Sequence, residues 1–512
     1  MFFLFSFLWF IRTTKAILFY LYLWQLKEYH VGRFFDHFRT EKGRRLILNP
    51  LNVIKIILLL SFPAYPLLLL FSVFVLYIFE FLKTIFDFLR EQLKRPVFTF
   101  KAVFLISAAL IFESIFLFVL LQNIKGVENI VWFIFWLLIF DILTPIISSL
   151  VVLIFQPLAV LQRNRIIKKA KIKREQFSSV AKSYGGSSEA FGEGGKNLLV
   201  IGITGSYGKT STKEFLAAIL SEKFEVLKTK EHQNSEVGVS LCILNDLRTE
   251  HEIFICEMGA YSRGGIKLLC GIAKPKIGVI TGINEQHMAT FGSQENIIKT
   301  KYELIENLPK DGVAFFNAKN KYCVELYKKT SGIKKVLYGQ EARFFGEENI
   351  LGAMAVAREL GMTEEEILKA TDKIENKFPG IKIKEGIDGL KIIDATYSAN
   401  PDGVIANLEY LRTLRQAQGK LVIVMPCLIE LGKASKEVHG RIGNKIGEIC
   451  DLAIITTKDR FKEIKEGAGG KALFLENPKE ILEKIKSFCR EGDVVLLESR
   501  VPSLLIKKLI GR

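Results

Sequence analysis

No C-x-x-C pair occurs among the seven cysteines, of which the first is Cys242. Without paired-thiol spacing, free thiols in a reducing compartment are expected. No small-residue cleavage site follows the first apolar run, and further apolar runs come after it, so a cleavable signal peptide is not expected. No internal repeat is visible. The formal charge of +17 raises the question of nucleic acid. However, the basic residues cluster beside apolar runs and no groove-reading motif is present, so a nucleic-acid partner is not expected.

What is present divides the chain sharply. Residues 1–160 are packed with Phe, Leu and Ile, whereas 180–512 have ordinary globular composition. Met1 to Trp24 is apolar apart from Arg12 and Lys15, long enough for one span of roughly 20 residues or an interfacial helix. A basic stretch follows, with Lys27, Arg33, Arg39, Lys42, Arg44 and Arg45. Val53 to Leu82 is a second apolar region with Pro63 and Pro66 near its centre, and Lys83 to Lys101 is basic again. Basic flanks belong on the cytoplasmic side, so the region between them reads as a re-entrant or tightly bent hairpin. One long tilted helix is the alternative. Ala102 to Gln122 and Val131 to Phe155 read as a hairpin with both ends inside. Glu113 and Asp141 fall within these spans, where acids are often functional; a mutual structural contact or an interfacial position is the other reading. The expectation is a multi-pass protein of the cytoplasmic membrane with its later domains in the cytoplasm.

Leu161 to Arg174 carries Arg163, Arg165, Lys168, Lys169, Lys171, Lys173 and Arg174 and no acid. It reads as a polybasic segment suited to anionic lipid headgroups, against the plainer reading of a solvated helix end. Ser178 to Gly195 is Gly/Ser-rich and reads as a flexible linker. The expected organisation is thus 1–160 membrane helices, 161–196 polybasic segment and linker, and two α/β domains at 197–378 and 379–512. Within them, strands are predicted at 198–203, 252–257, 276–281, 312–316, 391–394, 420–425, 452–456 and 493–497. Helices are predicted at 210–221, 295–307, 348–360, 363–375, 402–415, 436–448, 477–488 and 502–510.

Between the first strand and the first helix lies Gly202-Ile-Thr-Gly-Ser-Tyr-Gly-Lys-Thr-Ser-Thr212. Strand, Gly-rich turn, then Lys-Thr opening a helix is a phosphate cradle. Backbone N–H groups around Gly205, Ser206, Gly208 and Ser211 point at anionic oxygens. Lys209 reaches the outer phosphates and the Thr210 hydroxyl suits Mg²⁺. The general pattern wants glycine where Ile203 stands. Glu257 ends a buried strand in Ile255-Cys-Glu-Met-Gly-Ala260, placed to hold Mg²⁺ directly or through water; alone, such a Glu is more often structural. His287 follows another strand end, where open α/β sheets bind ligands. Lys301 lies on a helix, where a single Lys is normally a solvated charge. Ile392-Ile-Asp-Ala-Thr-Tyr-Ser-Ala-Asn-Pro-Asp402 runs from a strand into an Asn-Pro turn.

Taken in order, these motifs together with Asn234-x-x-x-Gly238, Phe291-Gly-Ser293, Lys301-x-Glu303, Asn349 and Glu430-Leu-Gly432 resemble the Mur ligase family over about residues 197–512. The resemblance implies a P-loop central domain, a Rossmann-like C-terminal domain, and ATP-driven peptide-bond formation through an acyl phosphate in peptidoglycan precursor synthesis. It implies ATP and two Mg²⁺ as cofactors. Lys209 and the turn would hold the phosphates, Thr210 and Glu257 one Mg²⁺, and His287 the second. Lys301 matches a carbamylated lysine, Asn349 an adenine contact, and Asp394, Tyr397 and Asn400 a motif that closes over the nucleotide. The partners implied are a cell-wall precursor bearing a carboxylate and an amino acid or dipeptide amine. There are departures. The membrane region stands where the family has its UDP-sugar-binding domain. The Asn-x-Asn-Asn substrate loop reads His232-Gln-Asn234-Ser235. The segment Tyr338 to Glu348 is short, and Pro-Gly-Arg reads Pro379-Gly380-Ile381. Asp-Asp-x-Tyr-Asn reads Asp394-Ala395-Thr-Tyr-Ser398, and Pro426-Cys427 stands where Gly-Asp precedes Glu-Leu-Gly. ATP and metal chemistry are retained, and a lipid-linked or membrane-proximal acceptor is expected. A nucleotide-binding membrane scaffold without turnover is the competing class; a transporter with an ATPase domain is disfavoured for want of a signature motif.

Overall fold

The computed structural model describes residues 1–47, 49–62, 64–123, 129–183, 198–230, 233–343, 346–377, 383–396, 400–414 and 419–510. The chain divides into two compact units, Met1–Gln162 and Arg163–Arg512.

The first unit is helical: α1 (Phe2–Leu26), α2 (Val31–His37), α3 (Glu41–Ile47), α4 (Pro50–Ser61), α5 (Pro66–Leu89), α6 (Phe100–Asn123) and the first part of α7 (Ile130–Ser183). Among the described residues, Phe2–Leu26, Phe100–Asn123 and Ile130–Phe177 are long and apolar enough to cross a membrane. The apolar region at 53–82 is a bent pair of helices and not one long helix. Pro66 stands at the first helical position of α5, where its missing N–H leaves no bond unmade. The pair folds back on itself, bringing Lys55 Nζ within 2.7 Å of Glu80 Oε2, 25 positions away. At 12 residues, α4 is about 18 Å long.

This unit sets one buried charge group within an apolar interior and is apolar on its outside as well. Arg12 of α1 and Lys55 of α4 meet Glu80 of α5 and Asp141 of α7. The Arg12 guanidinium pairs with Asp141, Lys55 Nζ lies 2.6 Å from Asp141 Oδ2, and Arg12 Nε lies 3.5 Å from Glu80 Oε2. Asp141 is thus held by two cations and not by Glu113. Glu113, on α6, is fully buried and neither of its carboxyl oxygens has a hydrogen-bond partner. The outside carries exposed Phe7, Ile57, Phe79, Ile111, Phe118 and Ile154.

The second unit holds two α/β domains. The first runs β1 (Leu199–Thr204), α8 (Lys209–Leu220), β2 (Val226–Lys228), α9 (Glu236–Asn245), β3 (Ile253–Glu257), α10 (Gly265–Ala273), β4 (Ile277–Ile280), α11 (Met288–Phe291), α12 (Gln294–Glu306), β5 (Val313–Asn317), α13 (Lys321–Lys329), β6 (Lys334–Tyr338), α14 (Glu347–Glu359) and α15 (Glu364–Lys377). Its sheet is parallel throughout, in the order β2-β3-β1-β4-β5-β6. Both faces are covered by helices, which is why its strands read as unbroken apolar runs. The C-terminal domain runs β7 (Ile383–Glu385), β8 (Lys391–Ala395), α16 (Pro401–Thr413), β9 (Leu421–Met425), α17 (Ser435–Ile449), β10 (Leu452–Ile455), α18 (Phe461–Gly467), β11 (Ala472–Phe474), α19 (Pro478–Phe488), β12 (Val494–Glu498) and α20 (Ser503–Ile510). Its order is β11-β10-β9-β12-β8-β7, with only β7 antiparallel.

The stretch expected as a separate polybasic segment belongs to the first α/β domain. It is helical, and Ile167 and Ala170 are buried in that domain's core beside Leu198 and Val200. Three of its cations are used there. Arg163 Nε pairs with Glu236 at 2.8 Å, Lys173 Nζ donates to the carbonyls of Leu244 and Leu247, and buried Arg174 donates to those of Ala273 and Leu198. Apolar residues three apart on one face of a helix override the charge of the other face. The linker expected at 178–195 is helical to Ser183, and its remainder lies outside the described residues.

Candidate active site

Three strand ends converge. β1 runs out at Thr204 into the Gly-rich turn, β3 ends on Glu257, and β4 ends just before Thr281. Ile203 is paired with Glu257 on one side and Val279 on the other, so these ends share one edge of the sheet. Gly208 starts α8 from the left-handed region (φ +78), and a Cβ there would collide with Asn349 Oδ1. Glycine alone lets the helix begin this close to its neighbour.

The charged groups around this edge are tightly organised. Lys209 folds over the turn, its Nζ donating to Gly205 O at 2.8 Å. The Thr210 hydroxyl donates to Glu257 Oε2 at 3.0 Å, and Asn234 Nδ2 donates to Glu257 Oε1 at 3.1 Å. Behind Glu257 lies Lys213, fully buried, with Nζ 3.2 Å from Oε2. Burial pushes the Glu257 carboxyl up, but Lys209, Lys213 and Asn234 together hold it below the usual carboxylate range. It is therefore ionised at neutral pH.

Lys301, on α12, is 4% exposed. It is not a solvated charge: burial first, and the charge of Lys209 second, push its amine down to about 7, against the pull of Glu303. His287 precedes α11 with φ +64. Burial lowers its imidazole below the ordinary histidine value, although Glu430 opposes this. Gly205, Ser206, Lys209, Asn234, His287 and Lys301 line one cavity of about 90 Å³. A larger groove of about 690 Å³, lined in part by Lys436 and Gly440, holds none of these groups. Chemistry, not size, singles out the smaller one.

Among the described residues, the other expected site residues do not line this cavity, although Thr210 reaches Glu257 beside it. Thr210 and Ser211 are exposed on the first turn of α8. Asn349 is buried, its Oδ1 accepting from Thr212 Oγ1 at 3.2 Å. Ser235 caps α9, accepting from Gly238 N–H. Asp394, at the end of β8, binds Lys384 and Thr396 and does not line the cavity. Asn400 caps α16 through Gly403 N–H and accepts from Asn284 Nδ2 at 3.2 Å. Tyr397 and His232 lie outside the described residues.

Three participants escaped the sequence. Lys213 had a signal, since it sits four residues after Lys209 on one helix face. Asn284 also had one, lying inside the strand-end motif; it binds Asn400 and Asp402 of the C-terminal domain. Glu430 was visible in Glu430-Leu-Gly432, but nothing near it in the chain pointed to its partner. Its Oε2 lies 2.6 Å from His287 Nδ1 across 143 positions.

Comparison with known proteins bears directly on this geometry. Residues 203–375 match the Mur ligase middle domain, and 381–500 match the Mur ligase glutamate ligase domain. The UDP-N-acetylmuramoyl-tripeptide–D-alanyl-D-alanine ligase of Synechocystis is 30% identical over 329 residues, covering 59% of this chain and 71% of that protein. The enzyme of the same name from Bacillus subtilis is 28% identical over 333 residues, covering 59% and 72%. Among solved structures, MurF from Acinetobacter baumannii superposes with a TM-score of 0.58 at 23% identity, covering 68% of this chain and 81% of that one. MurF ligase from Thermotoga maritima in complex with ADP gives 0.53 at 24%, covering 67% and 83%. With the cradle, its carboxylate and both α/β domains in the matching order, the chain belongs to the Mur ligase family of ATP-dependent ligases.

Proposed function

We propose that the chain is a membrane-embedded ligase that joins a D-alanyl-D-alanine-type amine to the carboxylate of a peptidoglycan precursor. The observation that carries this reading is the gathering of Lys209, His287 and Lys301 around one cavity, with ionised Glu257 held by Asn234 of its lining. The reaction crowds a triphosphate, a carboxylate and then a tetrahedral intermediate into one place. Lys209 and the N–H groups of the turn offset that charge without having to reorganise. The carboxylate takes the γ-phosphoryl group of ATP and ADP leaves; the amine then attacks the resulting acyl phosphate, phosphate leaves from the tetrahedral intermediate, and the amine's proton passes to solvent.

The residues fit Mg²⁺. Thr210 Oγ1 and Glu257 Oε2 converge at 3.0 Å, and Mg²⁺ is usually bound by one or two protein oxygens with phosphate oxygens and water completing the shell. His287 presents a second nitrogen to the cavity wall. Among the described residues no three His, Cys, Asp or Glu side chains form a cage of their own, so phosphate and water supply the remaining ligands. Bound there, the ions neutralise phosphate charge as it builds. Lys301 suits the carbamate role: an amine near 7 is partly neutral at physiological pH, and only the neutral amine adds carbon dioxide.

The membrane reading rests on the apolar exterior of the first unit, on its three long apolar helices and on the charges held inside. Arg165, Lys168 and Lys169 remain exposed on α7 and are the cations available to anionic headgroups. An embedded enzyme suits a lipid-linked acceptor. The test is ADP release by the detergent-purified protein with D-alanyl-D-alanine and either a UDP-linked or a lipid-linked muramoyl peptide. Stimulation by the lipid-linked substrate is expected. Stimulation by neither removes this acceptor class. Extraction of the chain from membranes by carbonate, without detergent, would remove the embedding.

A further inference from the structure

We propose that Glu430 is a positioning residue for His287, delivered from the C-terminal domain, so that cation binding at His287 depends on the meeting of the two domains. The inference rests on the metal reading of His287 given above.

The contact is made twice over. Glu430 Oε2 lies 2.6 Å from His287 Nδ1, and the Glu430 carbonyl accepts from Ala289 N–H at 3.0 Å. One residue thus grips the His287 loop with both its side chain and its backbone. Glu430 holds φ +64, a region that a side chain seldom occupies without cause. Gly432, two residues on, packs so closely on Ala289 that a Cβ would sit 3.0 Å from the Ala289 nitrogen.

The loop that carries Glu430 is anchored to its own domain. Leu428 N–H donates to Nε2 of buried His439 at 2.9 Å, and Cys427 N–H donates to Thr457 Oγ1 at 2.8 Å. Leu428 and Leu431 are buried. The Glu430 side chain, at 8% exposed, has been taken out of water to make this contact.

The chemistry follows from the partner. An ionised carboxylate only accepts, so Nδ1 carries the hydrogen and Nε2 keeps its lone pair. A carboxylate on Nδ1 fixes the plane of the ring and makes Nε2 the better ligand. Because Glu430 belongs to the C-terminal domain, this help exists only while the domains are together. By linkage, a cation at Nε2 then favours the joined state as much as the joined state favours the cation.

The test uses the full chain in detergent, Mn²⁺ as the probe and a non-hydrolysable ATP analogue, with bound Mn²⁺ counted by electron paramagnetic resonance. His287→Ala should lose one Mn²⁺. Glu430→Ala should keep the stoichiometry and weaken that ion about 10- to 100-fold. Glu430→Gln, whose amide oxygen still accepts from Nδ1, should weaken it less. In turnover, Glu430→Ala should lower kcat more than it raises the KM for ATP. If His287→Ala loses the ion while Glu430→Ala and Glu430→Gln bind it like the parent, the positioning role is overturned. If His287→Ala itself leaves Mn²⁺ binding unchanged, the metal reading falls, and this inference with it.

Discussion

The two units of this chain distribute apolar and charged side chains differently. In the catalytic unit Val, Ile and Leu are inside, and three of the buried charges, Lys213, Glu257 and Lys301, gather with half-buried Lys209 around the strand ends. In the N-terminal unit phenylalanines and isoleucines face outward, and four helices each contribute one member of a buried charge group. Buried charge therefore means different things in the two places. In the first unit two cations and two acids neutralise each other, whereas at the strand ends Lys209, Lys213 and Lys301 gather near Glu257, and the further carboxylate, Glu430, is taken up by His287. A surplus of one sign waits for a ligand of the other, and a balanced group holds helices together.

The largest expected effect tests the balanced group. Asp141→Leu leaves Lys55 and Arg12 to share Glu80 alone, and should destabilise the detergent-solubilised chain by about 3–5 kcal/mol. Adding Lys55→Met should recover part of the lost melting temperature; no recovery would mean the residues are not coupled. Next, Lys209→Ala should cut ADP release about 10²- to 10³-fold with little change in melting temperature, because a surplus charge serves the ligand and not the fold. The third effect concerns Lys301. Its amine is lowered to about 7, and the neutral form is the one required. Turnover should therefore fall as pH drops through 7, about tenfold per unit once well below it, and added bicarbonate should restore part of the rate. A flat profile from pH 5.5 to 8 would end the carbamate reading. The smallest effect is at the surface. Arg163 and Glu236 are each about one-third exposed, so Arg163→Ala should cost no more than about 1 kcal/mol in chemical denaturation.

Much of the catalytic unit was legible because a parallel sheet covered on both faces writes itself as apolar runs. All eight predicted strands are present within a residue or so of their expected bounds. The strands that went unread are edges: β2, β7 and β11 are three residues long, and β6 opens on Lys334-Lys335. Short, half-polar segments carry little periodicity. Likewise α9, α10 and α13 are ten residues or fewer. The cradle and Glu257 could be read because their chemistry is local. Glu430 could be picked out in its motif but its partner could not, because that partner lies 143 positions away. The polybasic stretch misled for the opposite reason: seven cations are conspicuous, while Ile167 and Ala170 between them are not.

Lys301 has one more consequence, and it concerns reactivity. Most lysines of this chain face water, where an ammonium near pH 7 is a poor nucleophile. Lys301 is held where part of its population has already lost the proton, inside a cavity of about 90 Å³ beside a phosphate cradle. Carbon dioxide is only the smallest electrophile that suits such an amine. An aryl aldehyde or sulfonyl fluoride carried on a nucleotide scaffold would meet the same nitrogen, and one residue among many would take the label. The burial that lowers this amine thus also makes it a chemical address, by which the protein could be tagged in a mixture without altering its sequence.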